Sequence, residues 1–486
     1  MEAMQMLLTV ALALLVFLSA ASFRRGSSKL AGDTRRTHPA TTTIQVRDAA
    51  VARRMIFDDA DSFSNHPAAP FPVDLDAGHH KTTSINSAPY GQLWRALRRN
   101  LTAGVLHPSR LVPLLAPLHR AAAAALVANL NSSLVTGAGE VVIVRDALYD
   151  AVFGVTARLC FGDDAVGGGA GERAMREALR EFFHSGIDAG VLARSRAGRL
   201  LRWRQWRYLA GTRRRLAELF APAIIAARRR SRCRAGGVRS YVDTLLDVCV
   251  PAGESAVDRR RELRDDEIVR LVWEFLGAGT LTVVACVEWT LARLVASPEV
   301  QDKLRRELID GTTGGDHRDM PPYLRAVILE SLRLHPPVPF ILRDAVIGPD
   351  SRAEPPPPPD GSPSPVRFTF MAEEIGRDGK AWKDPEEFIP ERFLTGGEGE
   401  DVGPVPGTKE IKMMPFGAGR RHCPGAGLAM AHAGCFVETL VREFNWAPPD
   451  GGGVGVDLTA THALFIKVMA SPLRARITPR KEMLAR

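Results

Sequence analysis

The sequence predicts a mainly α-helical protein with small β-sheets, carried on a single N-terminal transmembrane helix. Residues 4–21 form an uncharged apolar run, and most of Leu114–Ile309 has helical periodicity broken by two glycine clusters. Apolar residues make up 45% and charged residues 24% of the 486 residues, which is the composition of a globular protein. This composition excludes a disordered chain, and one long apolar run is too few for a multi-span membrane protein.

The apolar run predicts a membrane anchor over residues 4–23. At about 1.5 Å per residue, the apolar run over residues 4–21 would span roughly 27 Å, close to the thickness of a hydrocarbon core. Arg24, Arg25 and Lys29 follow the run, so the positive-inside rule places the rest of the chain in the cytosol. We expect residues 24–40 to be a linker and 41–486 to be one large domain. A cleaved signal peptide is the alternative, but it requires a basic start and a shorter apolar core.

The net charge of +9 favours anionic partners without choosing among them. Arg194–Arg234 is rich in arginine, with Trp203 and Trp206 interleaved, which is also the composition of a nucleic-acid patch. Such a stretch is more often a pair of amphipathic helices with solvated basic faces, which can also touch lipid, so no nucleic-acid partner is expected. The six cysteines include no C-x-x-C pair and indicate free, mostly buried thiols in a reducing compartment.

The domain is predicted to begin with a strand, because Thr41–Arg47 alternates with a period of two. Asp48 can cap a helix that runs through Met55, and Tyr90–Asn100 reads as a basic helix. Five consecutive prolines lie within Glu354–Pro365, which predicts an exposed polyproline loop.

A long apolar helix is predicted over Asp265–Ser297. Asp265 is a suitable N-cap, and Glu267 suits the first turn because it complements the helix dipole. Pro298 marks a break, after which a helix resumes over Glu299–Asp310.

The segment Phe416–Gly425 has the residue types of a loop that binds metal through a thiolate. Its glycines permit a tight turn, and a helical stretch begins soon afterwards at Leu428. Helix N-termini and cations such as Arg421 stabilise a thiolate. Cys423 is therefore a candidate soft ligand for iron, with Phe416 shielding the sulfur from water.

This segment resembles the signature of the cytochrome P450 family of haem-thiolate monooxygenases, F-x-x-G-x-R-x-C-x-G. Its fixed positions are matched by Phe416, Gly419, Arg421, Cys423 and Gly425. The resemblance implies the mainly helical cytochrome P450 fold and haem b, iron protoporphyrin IX, as cofactor. Cys423 would then be the axial ligand of the iron, and the other four residues would contribute to cofactor binding.

Further motifs occur in the order that the family has them. Trp94 and Arg98 match W-x-x-x-R, whose side chains can both donate to a haem propionate. Glu330 and Arg333 match E-x-x-R on one helix face, and Arg392 matches the arginine of P-E-R-F. The resemblance implies that these last three residues form a buried structural charge cluster.

Ala278, Gly279 and Thr282 match the pattern [AG]-G-x-[DE]-T in the long helix. The resemblance implies that the two small residues let the helix pass close to the haem and leave a groove for O2. Thr282 would assist cleavage of O2 by helping to deliver protons. The chain departs from the family at Leu281, which stands where the acid belongs and cannot relay protons, and Glu274, about two turns earlier, is no obvious substitute.

Two other departures concern the scaffold. The Pro-rich hinge, first helix and first strand of the family have no clear counterpart between Phe23 and Thr41. The run Pro355–Pro359 stands where the family has short strands. By contrast, Leu334–Pro337 after the E-x-x-R helix is similar to the plant microsomal branch.

The resemblance implies a monooxygenase of the endoplasmic-reticulum membrane with a cytosolic catalytic domain. NADPH would supply two electrons through NADPH–cytochrome P450 reductase, and one oxygen atom would enter a lipophilic small molecule. Arg95 and Arg99 are either a docking ridge for the acidic reductase or a solvated surface pair. Substrate choice is expected to lie in Phe71–Pro89 and Phe182–Ala210, where no code is readable.

Two alternative functions stay open. One is a reductase-independent haem-thiolate isomerase or dehydratase of oxygenated lipids, which Leu281 favours and Thr282 disfavours. The other is a degenerate haem-binding protein without activity, or a product that does not fold, which the missing N-terminal elements and Leu281 favour.

Overall fold

The structure is a computed structural model, and it describes residues 42–67, 84–135, 141–162, 169–184, 203–233, 239–252, 260–310, 320–347, 364–449, 455–463 and 465–480. The predicted anchor over residues 4–23, the linker over 24–40 and the proline run lie outside the described residues. From Thr43 onward the chain forms one compact unit.

Helices make up most of the described fold. They are α1 (Ala49–Arg53), α2 (Gln92–Gly104), α3 (Pro108–Val135), α4 (Val144–Phe161), α5 (Ala170–His184), α6 (Trp203–Cys233), α7 (Tyr241–Leu245), α8 (Asp265–Ala296), α9 (Pro298–Asp310), α10 (Pro322–Leu334), α11 (Ala372–Ile375) and α12 (Ala426–Glu443). A π-helical turn, Arg54–Asp58, extends α1. The Asp48 carboxylate accepts the Val51 N–H at 2.9 Å, which confirms the predicted cap of α1.

The strands of the described residues form small sheets. They are β1 (Thr42–Val46), β2 (Val141–Ile143), β3 (Cys249–Pro251), β4 (Arg260–Glu262), β5 (Ile341–Ile347), β6 (Ser364–Phe370), β7 (Phe444–Ala447), β8 (Ala460–Ala463), β9 (Ile466–Met469) and β10 (Arg474–Pro479). Two sheets have three strands each, in the orders β1-β6-β5 and β2-β10-β7, and two are antiparallel pairs, β3-β4 and β8-β9. The prediction of a mainly helical fold with small sheets is confirmed.

Helix α8 is the centre of the main apolar core. It is apolar around most of its circumference, as expected of a helix enclosed by others, and it packs against α4, α10 and α12. The prediction of Asp265 as N-cap is wrong: Arg264 has the extended backbone of a cap, with φ −77° and ψ 160°. The Glu267 carboxylate accepts the Arg264 N–H at 2.8 Å and pairs with Arg261, so the first helical turn is closed one residue earlier.

The hairpin of β5 and β6 corrects the extent of the predicted proline loop. Ser364 and Pro365 belong to β6, where they pair with Ile347 and Val346. Proline has no N–H to give to a ladder, and Pro365 stands next to the start of the strand, where a donor is least needed.

Two other predictions, a single membrane-spanning run and mostly buried thiols, agree with the structure only in part. Helices over Pro108–Leu134 and Asp265–Ala296 are long and apolar enough to cross a membrane, but the greater part of the second is buried in the core. Among the described thiols, Cys160 and Cys286 are buried as predicted, whereas Cys249 is exposed.

Candidate functional site

The segment Phe416–Gly425 folds into a closed loop directly before α12. The Cys423 N–H donates to the Phe416 carbonyl at 2.7 Å, so the two ends of the motif meet. Gly417 and Gly419 have φ of +71° and +66°, a region where residues with side chains are strained. The tight turn predicted from the glycines therefore rests on these two positions.

Gly419 and Gly425 serve the loop in different ways. A Cβ on Gly419 would lie 2.5 Å from Cγ2 of Ile56, so the loop can pack on the π-helical turn only with glycine there. A Cβ on Gly425 would meet the Cys423 sulfur at 3.9 Å, which is ordinary contact. Gly425 contributes its backbone N–H, which donates to that sulfur.

The pKa of the Cys423 thiol depends on burial and on two weaker influences that oppose it. Burial raises the pKa of the Cys423 thiol, while the Gly425 N–H and the positive charge of Arg98 act to lower it. The cation beside the sulfur is thus Arg98, and the prediction that Arg421 supplies it is wrong. Because burial dominates, the protein alone does not favour the thiolate, and a cationic metal bound to the sulfur would stabilise it.

The Arg421 side chain points from the loop into the preceding chain. Its guanidinium donates to the carbonyl oxygens of four residues, Ser64 at 2.8 Å, Ile85 at 3.1 Å, Asn86 at 3.3 Å and Ala88 at 2.5 Å. These contacts tie the cysteine loop to the segment before α2. Burial and the charge of Arg98 lower the pKa of Arg421 to about 10.

Trp94 and Arg98 lie one turn apart on α2 and face the cysteine loop. Arg98 donates to the His422 carbonyl at 2.7 Å, next to the candidate iron ligand. Trp94 is buried, yet its indole N–H meets no acceptor among the described residues. A buried donor without a partner costs free energy, so this N–H is available for an acceptor that the chain does not provide.

Sequence reasoning missed Arg343 on β5, which is buried beside this group. Its guanidinium donates to the Leu342 carbonyl at 2.9 Å, and burial together with the charge of Arg421 lowers its pKa to about 9. Within the described residues, Arg98, Arg343 and Arg421 form no ion pair with a carboxylate. The period-two pattern of β5 could have found Arg343, because it shares the inward face with Ala345.

Helix α8 borders open space at the predicted oxygen-binding residues. Ala278 is exposed although it lies in the middle of a mostly buried helix, and the Thr282 hydroxyl donates to the Ala278 carbonyl at 2.7 Å. Gly279 faces elsewhere: a Cβ there would lie 3.0 Å from Cγ2 of Thr156 on α4. Gly279 thus permits close packing of α8 on α4, while Ala278 borders the open space. Leu281 packs against the main core.

The structure brings Glu330, Arg333 and Arg392 together. The Glu330 carboxylate accepts two hydrogen bonds from Arg333, at 2.7 and 2.8 Å, and lies 3.3 Å from Arg392. All three residues are buried, and Arg333 also donates to the carbonyls of Gly376 and Pro385. The cluster fixes α10 to the segment after α11 and lies in the scaffold.

Comparison with known proteins decides the family. The family model described as Cytochrome P450 matches residues 32–465. This chain belongs to the cytochrome P450 family. It is 34% identical to Cytochrome P450 89A9 of Arabidopsis thaliana over 466 residues, which covers 90% of this chain and 85% of that protein.

Other relatives within the cytochrome P450 family are more distant. Germacrene A hydroxylase of Cichorium intybus is 28% identical over 84% of this chain and 79% of its own length. A zebra fish cytochrome P450 solved with progesterone superposes with a TM-score of 0.68 at 22% identity, covering 90% of this chain and 94% of that one. The chain is thus a plant-type cytochrome P450 monooxygenase with the fold of the family.

The described residues fit the haem that a cytochrome P450 requires. The two propionates of haem need hydrogen-bond donors and positive charge. Trp94 offers an indole N–H without a partner among the described residues, and Arg98 and Arg343 offer charges that no described carboxylate pairs with. The open space beside Ala278 and the partly exposed Cys423 give room for the group and a soft ligand for its iron. Because Arg421 gives most of its donors to backbone carbonyls, its charge is its main contribution to anion binding.

Proposed function

We propose that this cytochrome P450 inserts one atom of O2 into a lipophilic small molecule, with electrons that NADPH supplies through NADPH–cytochrome P450 reductase. The observation that carries the proposal is the closed loop that presents Cys423 beside Arg98, Arg343 and Arg421, which form no ion pair with a carboxylate among the described residues. Haem supplies the oxidising chemistry when it is bound. Cys423 would hold its iron, while Trp94, Arg98 and Arg343 would hold its propionates.

Thr282 is proposed to serve the proton delivery that oxygen cleavage needs. Its hydroxyl donates to the Ala278 carbonyl, which leaves the oxygen lone pairs free to accept from a water in the open space. Leu281 provides no acid next to this hydroxyl, so we expect protons to arrive through water chains and a share of the electrons to end in peroxide.

The experiment that tests this function is a product assay in membranes that contain the protein. Addition of NADPH, the plant reductase and O2 should convert a lipophilic substrate to a product that carries one atom of 18O from 18O2. The Thr282→Ala variant should make less product per NADPH consumed. Incorporation of 18O from water instead of O2 would contradict the proposal.

A second candidate function is favoured by Leu281. Members of this family that rearrange oxygenated lipids need neither O2 nor reductase, and the loss of the acid is compatible with that chemistry. Turnover of a fatty-acid hydroperoxide without NADPH and reductase, with no turnover in their presence on other lipids, would establish this function in place of monooxygenation.

We also propose the endoplasmic-reticulum membrane as the location, with the folded domain in the cytosol. The sequon Asn131–Ser133 provides a test because Asn131 is exposed on α3. Expression in plant cells should give no mass shift on endoglycosidase treatment, whereas a glycan at Asn131 would place the domain in the lumen.

The reductase is proposed to dock on the face that carries Arg95 and Arg99. Both side chains are exposed on α2, one turn apart. Charge reversal of both to glutamate should raise the KM for reductase at least threefold, because complementary charge steers association. The same reversal at Arg229, exposed on α6, together with Arg306, exposed on α9, is the matched control, and an equal effect there would refute the assignment.

A further inference from the structure

Glu274 on α8 makes contacts that the proposed reaction does not explain. Its carboxyl oxygens accept two backbone N–H groups, from Ile85 at 2.9 Å and from Asn86 at 2.6 Å. Burial raises the pKa of Glu274 to about 7, although both N–H groups and the charge of Arg421 act to lower it. Burial of a carboxyl group costs free energy, and the two backbone hydrogen bonds offset part of that cost.

Ile85 and Asn86 are also held through their carbonyl groups. Arg421 donates to the carbonyl oxygens of Ile85 and Asn86, so both the donors and the acceptors of these residues are engaged by side chains. One side chain comes from α8 and the other from the loop that carries Cys423. The backbone of residues 85–86 is therefore fixed between the two elements that bound the haem site.

Glu274, which makes this contact, lies one helical turn from the open space beside Ala278. Glu274 precedes Ala278 by four residues, so both lie on one face of α8. Ala278 is exposed to the open space, and Ile85 packs partly buried against the main core. Residues Ser84–Ala88, which we call the wall segment, are thus tied to α8 one turn before the residue that borders the open space.

We propose that Glu274 is a positioning residue that fixes the wall segment and so sets which lipophilic molecules fit beside the haem. This inference rests on the proposed function for its consequence, but the contact itself can be tested alone. The charged or titratable groups that face Glu274 are Arg421 from the cysteine loop and Tyr241 from α7.

The first test measures backbone hydrogen exchange in peptides that cover residues 84–88 of the haem-loaded protein. Glu274→Ala removes both acceptors, and exchange in the wall segment should accelerate at least tenfold. Glu274→Gln keeps one carbonyl acceptor and the shape of the side chain, so it should fold even if the alanine variant does not, with an acceleration of about threefold or more. Unchanged exchange in Glu274→Gln would overturn the proposal.

The matched control is Glu288→Gln, which removes another buried carboxylate from α8. Glu288 accepts from Arg145 at 2.8 Å and from the Leu473 N–H at 2.9 Å and does not contact the wall segment. Its variant should leave exchange at residues 84–88 within twofold of wild type. Equal acceleration in both variants would mean a general loss of stability and would overturn the positioning role.

The second test measures ligand fit by optical titration of the ferric protein with imidazole and with 4-phenylimidazole. The ratio of the two dissociation constants should change at least threefold in Glu274→Gln and stay constant in Glu288→Gln. Faster exchange with an unchanged ratio would overturn the role in ligand choice. A wild-type protein whose reduced carbon-monoxide spectrum lacks the thiolate band would refute the proposed function, while the exchange data would still decide the contact.

Discussion

Replacement of Glu330 by glutamine tests whether the buried charge cluster holds the scaffold together. The Glu330 carboxylate is completely buried and accepts two hydrogen bonds from Arg333, one from Arg392 and one from the Ile389 N–H at 2.9 Å. Glutamine has nearly the same shape but offers one acceptor oxygen and no charge. It would leave the guanidinium of Arg333 buried without a counter-ion.

The size of the effect follows from what is left unpaired. Removal of one partner of a buried ion pair costs about 3–5 kcal/mol, because the remaining charge loses its compensation in a medium of low polarity. Arg333 keeps the carbonyls of Gly376 and Pro385, which places the expected loss near the lower end of that range. For a domain whose stability is about 5–15 kcal/mol, this is a large fraction.

The assay is the midpoint of thermal unfolding of the haem-loaded protein, read from the Soret absorbance. Glu330→Gln should lower the midpoint by several degrees or yield little holoprotein. Glu391→Gln is the matched control, because Glu391 belongs to the P-E-R-F motif but forms a half-exposed pair with Lys303 at 2.5 Å, worth about 0–1 kcal/mol. Equal midpoints for the two variants would refute the reasoning about burial.

Three further perturbations separate the parts of the site. Leu281→Asp restores the acid of the family pattern and should raise the product formed per NADPH at least twofold over Leu281→Asn, as measured by peroxide release; equal coupling would show that water already delivers the protons. Trp94→Phe removes an indole N–H that has no partner among the described residues. Because a hydrogen bond to a charged group is worth about 1.5–3 kcal/mol, haem transfer to an acceptor protein should be about tenfold faster, while the unfolding of the haem-free protein stays the same. Because burial raises the pKa of Glu274 to about 7, the folded state binds its proton more tightly than the unfolded state, and the stability that this group contributes falls as pH rises from about 4.5 to 7. The unfolding midpoint of wild type minus that of Glu274→Gln should therefore decrease from pH 5 to pH 8. A constant difference would contradict the raised pKa.

Local sequence patterns were enough to predict much of the fold. The long helix, the capping of α1 by Asp48 and the strand near Thr42 follow from periodicity and from residues that act on their immediate neighbours. The error at Asp265 is one position, because several acids near a helix start compete for the same backbone donors and only the backbone angles decide which residue is the cap.

The site was less accessible from sequence where partners are distant along the chain. The cysteine loop is a local motif, but the direction of Arg421 depends on carbonyls more than 300 residues away. Gly279 faces Thr156 rather than the open space, which only the packing of two helices determines. The contact between Glu274 and the wall segment has no local signal, since its partners are backbone atoms about 190 residues earlier.

The most direct test of the account is the carbon-monoxide difference spectrum of the reduced protein before and after Cys423→Ser. With sulfur bound to the haem iron, the wild-type protein should show the red-shifted thiolate band, and the serine variant should lose that band while the protein remains folded. A serine variant with the same band as wild type would contradict the assignment of Cys423 as the iron ligand.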